Sequence, residues 1–516
     1  MQPTDEIQQG EQQPQLDELL QIRRDKLQAL QAAGRDPYQI VTFDRTHFST
    51  QIVEGFEALE GKEVSIAGRL MTKRIMGKAS FANVQDGLGA IQVYVKRDDL
   101  GEEVYEDFKK TDIGDIVGVR GLVFRTRTGE ISIHASAVTL LSKALLPLPE
   151  KWHGLKDQDL RYRQRYVDMI VNPEVRAAFR TRSRILGIIR RVMDGRGYLE
   201  VETPVLHNHA TNAAAKPFRT HHNTLDLDMV LRVELELYLK RLIVGGLEKV
   251  YEIGRIFRNE GMSPKHNPEF TMLEMYEAYT DYHGMMDLCE DLYTTVAREL
   301  LGGYQLTYQG VDIDLAPPWR RITMSQAVLE MSGVDFAQIA DDEAARAAAR
   351  THKLHLEHPG MTRGEILNLF FEEFCEAKLI QPTFICDYPV EISPLAKRTP
   401  YDSRLTERFE VFIYGREMGN AFTELNDPID QRQRFIEQAK KKYMEGEFEI
   451  DEDFVTAMEY GMPPTGGMGL GIDRMIMLFT DSASIRDVLL FPTMKPIAQA
   501  KQIQQTKIEI DGDEEK

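Results

Sequence analysis

Cysteine is scarce in this chain. Only three occur in 516 residues, Cys289, Cys375 and Cys386, and none has a close partner in the sequence. That spacing argues against a disulfide framework and against a thiolate zinc site, and it suits a reducing, cytoplasmic setting. No apolar run approaches the ~20 residues of a membrane-spanning helix, so no membrane association is expected. The first residues, MQPTDEIQQGEQQPQ, are polar and acidic, unlike a secretory leader. Both common glycine-rich nucleotide signatures are missing, the GxxxxGK[ST] phosphate loop and a strand-anchored GxGxxG. Basic residues are outnumbered, 63 Lys and Arg against 82 Asp and Glu, for a net charge of −19. This excludes nonspecific adhesion to nucleic acid by the whole surface, yet a locally basic face can still bind RNA phosphates. There are no internal repeats.

What remains is an ordinary globular composition, 42% apolar and 28% charged, with room for two to four domains of roughly 150 residues. Residues 1–15, rich in Gln and Glu, read as a disordered tail. An N-terminal helical region spans 16–60. It opens with an amphipathic helix over 16–33, closed by Gly34. On that helix Arg23, Arg24 and Lys26 are equally compatible with a plain surface helix and with an RNA contact. Between 61 and 146, five β-rich runs (VSIAGRL, SFANVQD, AIQVYVK, DIVGVRGLVFRT and ISIHASAVTLL) surround one helical insert near 102–110. Five short strands suggest a small closed barrel of the oligonucleotide-binding type, although other small barrels share the strand count.

Residues 147–175 read as a basic linker bounded by prolines, and 176–496 as a second, larger domain. In it, a helix from 174 to about 194 precedes YLEVETPVL, a strand running to Pro204. Strands and helices alternate over 224–330, a helical insertion covers about 338–380, and strands resume over 381–425. A polar helix follows at 431–446. TGGMGLGIDRMIMLFT at 465–480 reads as a glycine-rich turn entering a helix, and 497–516 as an acidic tail.

The richest segment is FRNEGMSPKHNPEF at 257–270. Arg258 and Glu260, two apart, fall on one face of an extended strand. A polar loop with Lys265, His266 and Asn267 follows, and a second strand carries Phe270, Glu274 and Tyr276. Guanidinium, basic loop and aromatic ring suit the phosphates and base of a nucleoside triphosphate. Near the other end of the domain, Gly466, Gly467, Gly469 and Gly471 precede Asp473 and Arg474, placing Arg474 at a helix start where phosphate binding is favoured. Packing alone is the commoner reason for such glycines.

A second hairpin, RFEVFIYGREMGNAFTEL at 408–425, turns at Tyr414–Gly415. This sets Phe412 opposite Glu417, with Glu410 diagonal to Glu417 on the same face. The two carboxylates could share a magnesium ion bound to polyphosphate, or they could be solvated cross-strand acids. Strict alternation sends Asn420, Phe422 and Glu424 to the opposite face from Glu417, and a bulge near Gly419 would reconcile them. Glu236, Glu274 and Glu424 lie in apolar or aromatic strand contexts. Each needs a cation, from an arginine or from a cationic substrate.

Taken together, these segments resemble the class II aminoacyl-tRNA synthetases. GYLEVETP at 197–204, the Phe-Arg-x-Glu hairpin at 257–270 and the Gly469–Arg474 helix start occur in the order of that family's three signatures. The resemblance is closest to the bacterial lysyl-tRNA synthetases and covers residues 16 to 496. RIMGKASF, HGLKDQDLRYRQRY, KPFRTHHNTLDLDM, YLKRLIVGG, DYPVEISPLAKR, FTELNDP and IRDVLLFP all contribute. It implies an α+β fold: an antiparallel class II synthetase catalytic domain preceded by an OB-fold anticodon-binding barrel.

It also implies roles. Arg258 would grip the α-phosphate and the substrate carboxylate. Glu260 and Phe270 would hold adenine, and His266 and Arg474 would neutralise the outer phosphates. Glu410 and Glu417 would bind Mg2+. Asn420 would meet the amino-acid carboxylate and Glu236 the α-amino group. Glu424, Glu274 and Tyr276 would meet the side-chain ammonium, and Phe422 would pack on the methylenes. In the barrel, Phe81 would stack on an anticodon base while Gln92 and Glu130 read base edges. The implied partners are ATP, L-lysine, tRNA(Lys) and a second copy of the chain. The chain departs from the family at Thr211 and Asn212, which with Ala213 stand where Gly-Gly-Ala is usual. Glu234 and Leu235 replace a small pair such as Ala-Pro, and Ala421 replaces a frequent glycine. Altered amino-acid specificity and a non-catalytic tRNA-binding paralogue are the competing readings.

Overall fold

Alternation in the first unit dictates a barrel. The computed structural model describes residues 5–149, 155, 157–208, 215–443 and 450–496, with backbone alone at 5–16 and 440–443. Five strands, Glu63–Met76, Ala79–Gln85, Ala90–Lys96, Ile116–Arg125 and Ile131–Ser142, close in the order first, second, third, fifth, fourth. Ala82, Val84, Ile91, Val93 and Val95 point inward to a core completed by Tyr105 and Phe108. Those two rings come from the helix Glu102–Lys110, at the place expected for the insert. Residues between the inward ones face out, as the two-residue period of a strand requires.

The N-terminal helix runs Asp5–Ala32. It therefore takes in residues 5–15, read from sequence as disordered; Gln and Glu are themselves good helix formers. Gly34 follows with φ +71°. Arg23 is buried and donates to the carbonyls of Ile113, Ala144 and Leu146, while Lys26 pairs with Asp112. Arg23 is thus structural, which removes it as an RNA contact; Lys26 is half-buried in its ion pair and Arg24 stays exposed.

The second unit, Asp157–Lys516, is built on an eight-stranded sheet. Across it lie Arg320–Thr323, Thr383–Pro389, Leu405–Ile413, Arg416–Thr423, Thr465–Gly471, Glu269–Ala278, Lys249–Phe257 and Leu199–Glu200. Neighbours are antiparallel except at the two edges, where the pairs are parallel. One face buries Leu273, Met275, Ala421, Met468 and Leu470 in a core with the helices Pro173–Gly195, Tyr282–Leu301 and Ile472–Phe479. Their strand neighbours, Phe270, Glu274, Tyr276, Asn420, Phe422 and Gly469, therefore emerge on the other face, where they line a cavity. Among the described residues no helix is long and apolar enough to cross a membrane.

Several local expectations are corrected. Within YLEVETPVL strand is confined to Leu199–Glu200 and to Leu206, which opens a separate short strand, Leu206–His207. The rest is held by a buried side chain: Thr203 donates through its backbone N–H and its hydroxyl to Glu252 Oε2, and Arg232 pairs with the same carboxyl at 2.7 Å. The stretch read as linker contains two helices, Gln158–Arg163 and Arg165–Val171. Glycine-rich Thr465–Gly471 is an interior strand rather than a turn. Glycine is required there because a Cβ on Gly467 would collide with Glu424 Oε1 and the Tyr276 ring. Helices Asp342–Thr351 and Arg363–Phe374 lie in 338–380, and the polar helix is Pro428–Tyr443. Residues 1–4, the expected acidic tail 497–516, and Thr211, Asn212 and Ala213 lie outside the described residues.

Candidate active site

Strand pairing ends at Phe257 opposite Glu269. Arg258 and Glu260 therefore sit in the connecting loop and not on one strand face, because the prolines and glycine of 261–268 cannot continue the ladder. The loop is nonetheless held at both ends. Arg258 N donates to Pro268 O at 2.8 Å, and Ser263 and His266 exchange backbone hydrogen bonds at 3.0 and 3.2 Å. Ser263 Oγ lies 2.9 Å from His266 Nδ1. As a result Arg258, Glu260, Lys265, His266 and Phe270 all line a cavity of about 460 Å³. The Arg258 guanidinium stands 5.3 Å from the Phe270 ring centroid.

Arg474 closes this end of the cavity from the first turn of Ile472–Phe479. It donates to the Glu417 backbone carbonyl and, at 3.1 Å, to Glu417 Oε2. Asp473 anchors the helix start: it pairs with Arg182 at 2.5 Å and accepts the Thr271 N–H at 2.7 Å. Burial and the Arg474 and Lys265 charges hold His266 below its ordinary imidazole value. Four cationic or potentially cationic side chains thus converge on one end of the cavity, an arrangement complementary to phosphates.

The other end is acidic. Glu234, Glu236, Glu274 and Tyr276 line it together with Asn420 and Phe422. Glu274 Oε2 accepts from the Tyr276 hydroxyl at 3.2 Å, and Oε1 accepts the Leu235 N–H at 3.4 Å. Burial, reinforced by the charge of Glu236, pushes the Glu274 carboxyl up to about 7. Glu236 is the first residue of the helix Glu236–Val244, not a strand residue. Glu424 lies just past Arg416–Thr423, fully buried behind the cavity wall rather than in it. Lys240, missed in the sequence although it stands one helical turn after Glu236, joins the two: it pairs with Glu236 at 2.5 Å and with Glu424. Burial opposes its charge, but the two carboxylates outweigh that and raise the ammonium above its ordinary value. Among the described residues Glu424 Oε1 has no hydrogen-bond donor, and it sits against Tyr276 and Gly467, both in the cavity wall.

The 408–425 hairpin has the expected form. Tyr414 and Gly415 both have positive φ, 56° and 60°, at the turn. Phe412 faces Glu417, and a register shift between Val411 and Phe412 leaves Met418 as the extra residue, so that Gly419 faces Val411 and Asn420 faces Glu410. One inserted residue switches parity and returns Asn420 and Phe422 to the face of Glu417. Burial and the charge of Glu417 raise Glu410 to about 7, with Arg408 acting in the opposite sense. Two hard carboxylates that repel one another fit a divalent cation. No group of three or more His, Cys, Asp or Glu among the described residues could hold a metal by itself, so its remaining ligands would be phosphate and water oxygens, as magnesium prefers.

In the barrel unit, Phe81 and Gln92 face outward on adjacent strands, Ala79–Gln85 and Ala90–Lys96. Sequence reading missed three rings beside them. Tyr94 lies 5.0 Å from Phe81 and 5.1 Å from His134, and Phe124 lies 6.2 Å from Tyr94. Tyr94 was legible, since alternation in AIQVYVK puts it on the face of Gln92; Phe124 and His134 reach the patch only through barrel closure. Gln92 Oε1 accepts from Ser132 at 2.9 Å, and Glu130 is exposed in the Thr126–Glu130 turn.

Two family models match the chain: "tRNA synthetases class II (D, K and N)" over residues 157–495, and "OB-fold nucleic acid binding domain" over 64–141. Among curated proteins, the lysine–tRNA ligase of Thermoanaerobacter pseudethanolicus is 59% identical over 485 residues, covering 93% of this chain and 97% of its own. That of Moorella thermoacetica is 60% identical over 481 residues, covering 93% and 98%. That of Clostridium perfringens is 55% identical over 496 residues, covering 95% and 99%. With the three signatures in order on one largely antiparallel sheet and the barrel ahead of them in the sequence, the chain belongs to the class II tRNA synthetases.

Proposed function

We propose that this chain is a lysine–tRNA ligase: it activates L-lysine with ATP to lysyl-adenylate and transfers the lysyl group to the 3′ end of tRNA(Lys). The observation that carries this reading is the polarity of one cavity. Arg258, Lys265, His266 and Arg474 gather at one end, while Glu236, Glu274 and Tyr276, backed by the buried Glu424, stand at the other. A substrate with an anionic polyphosphate and one with two ammonium groups match the two ends.

In this reading Phe270 and Glu260 hold the adenine, and Arg258 spans the α-phosphate and the lysine carboxylate. His266 and Arg474 neutralise the phosphates that leave as pyrophosphate. Asn420 takes the lysine carboxylate and Glu236 the α-amino group. Glu274, Tyr276 and Glu424 take the side-chain ammonium, with Phe422 along the methylenes. The lysine carboxylate attacks the α-phosphorus, pyrophosphate departs, and the terminal ribose hydroxyl of the tRNA then displaces AMP from the adenylate. No protein nucleophile is needed; positioning and charge neutralisation lower the barrier. Glu410 and Glu417 would hold Mg2+, which supplies charge neutralisation at the phosphates. The Phe81 face, with Gln92 and Glu130, serves as the anticodon reader. By resemblance, the chain works as a homodimer in the cytoplasm.

Amino-acid-dependent ATP–pyrophosphate exchange tests the reading, run with lysine and lysine analogues beside a Thr211→Gly, Asn212→Gly, Glu234→Ala, Leu235→Pro variant. Lysine-dependent exchange by the unmodified chain is expected. Exchange by the variant alone, or with an analogue only, overturns lysine as the substrate. tRNA binding without exchange for any amino acid overturns the ligase.

A further inference from the structure

Arg408 has no part in the scheme above, yet its guanidinium is held by four hydrogen bonds and one aromatic ring. Nη1 donates to Ile392 O at 2.7 Å and to Ser393 Oγ at 3.0 Å, and Cζ lies 4.5 Å from the Tyr388 ring centroid. These contacts fix the plane of the fork. Its two remaining directions point at groups on the cavity face: Nε donates to Asn420 Oδ1 at 2.9 Å and Nη2 to Glu410 Oε1 at 2.6 Å.

We propose that Arg408 is a positioning residue for amino-acid binding, setting the Asn420 side-chain amide in the one orientation that can receive a carboxylate. The argument is one of donor chemistry. A guanidinium carries only donors, so the atom of Asn420 it meets must be the carbonyl oxygen. The Asn420 Nδ2 amide, with its two N–H groups, then remains for the cavity, where it donates to an acceptor and rejects a second donor. Were Arg408 absent, the amide could turn over and present its oxygen to the substrate carboxylate, which repels it. The sheet supplies the placement: Arg408 pairs with Phe422 and Glu410 with Asn420, so all four side chains share one face.

This inference rests on lysine being the amino acid bound, and its test separates the two ideas. Lysine affinity is measured by calorimetry on the full chain without ATP or metal, for the unmodified protein, Arg408→Met, Asn420→Ala and the double variant. Arg408→Met is expected to weaken lysine binding about tenfold on its own and to add nothing in the Asn420→Ala background, since coupled residues are non-additive. Asn420→Asp should bind more weakly than Asn420→Ala, because Arg408 holds one oxygen and the other faces the substrate carboxylate. Arg408→Lys supports the same cycle should Arg408→Met not fold, as one ammonium cannot hold the fork's plane. Equal weakening by the Arg408 change in both backgrounds, or none in a folded single variant, overturns the proposal. Absence of lysine binding by the unmodified protein instead refutes the substrate assignment.

Discussion

A carboxyl held near neutrality makes binding depend on pH. Glu274, raised to about 7 by burial and by Glu236, attracts a substrate ammonium only when ionised. Lysine affinity should therefore rise about tenfold between pH 6 and pH 8, following the ionised fraction of a group with that value. Calorimetry across this range checks it; Glu274→Gln should bind weakly with the dependence gone, and an unchanged slope in that variant counts against Glu274 as the titrating group. Stability runs the other way. The folded value lies above the ordinary carboxyl value, so the contribution is fully present below about 4.5 and is lost as pH rises through about 7. Glu274→Gln should consequently melt higher than the unmodified chain at pH 8 and no higher at pH 4. Leu235 bears on the same carboxyl, since its backbone N–H lowers the Glu274 value. A proline at that position has no N–H to give. None of this was legible from Glu274 alone, because it depends on how closely Leu235, Glu236 and Tyr276 are folded around it.

At the scale of elements, the 408–425 hairpin shows how much a single inserted residue decides. Its turn was readable from Tyr414–Gly415, and the need for a bulge from the conflicting parity of Glu417 and Asn420. That Met418 is the extra residue came only with the register. Deleting Met418 should restore strict alternation and turn Asn420 and Phe422 away from the cavity. Lysine-dependent exchange should fall by at least about 10²-fold, as expected when positioning groups are lost. Deleting a residue from the exposed stretch 357–360 should leave it unaffected; exchange surviving the Met418 deletion would show that the bulge does not set the site. The glycine strand Thr465–Gly471 teaches the converse. Its composition reads as a turn, because propensity carries no information about the Tyr276 ring and Glu424 carboxylate that need the space. Likewise the Arg258 loop reads as strand by its spacing, but the ladder stops at Phe257, opposite the first residue of the paired strand, Glu269.

For the whole molecule, the proposed reading assigns RNA recognition to one unit, Met1–Lys156, and chemistry to the other, Asp157–Lys516. Phe81→Ala should weaken tRNA charging by about tenfold or more, the worth of one base–aromatic stack, while sparing lysine-dependent pyrophosphate exchange. Assaying both on one preparation decides it, and equal loss of both would remove the barrel as the anticodon reader. The homodimer is checked by sedimentation equilibrium, where a single-chain mass counts against it. By itself the sequence determined the class of fold, the order of the three signatures, the barrel's five strands and the basic residues that line one end of the cavity. Those features are carried by local periodicity and by contiguous motifs. Only the tertiary structure decided that Lys240 stands between Glu236 and Glu424, that Arg408 orients Asn420, that Glu424 lies behind the wall, and that Phe124 and His134 join the Phe81 face. Each of those depends on how separate strands or helices meet. The sequence states which face a side chain takes along its own element; what it meets there is set by register and packing against the others.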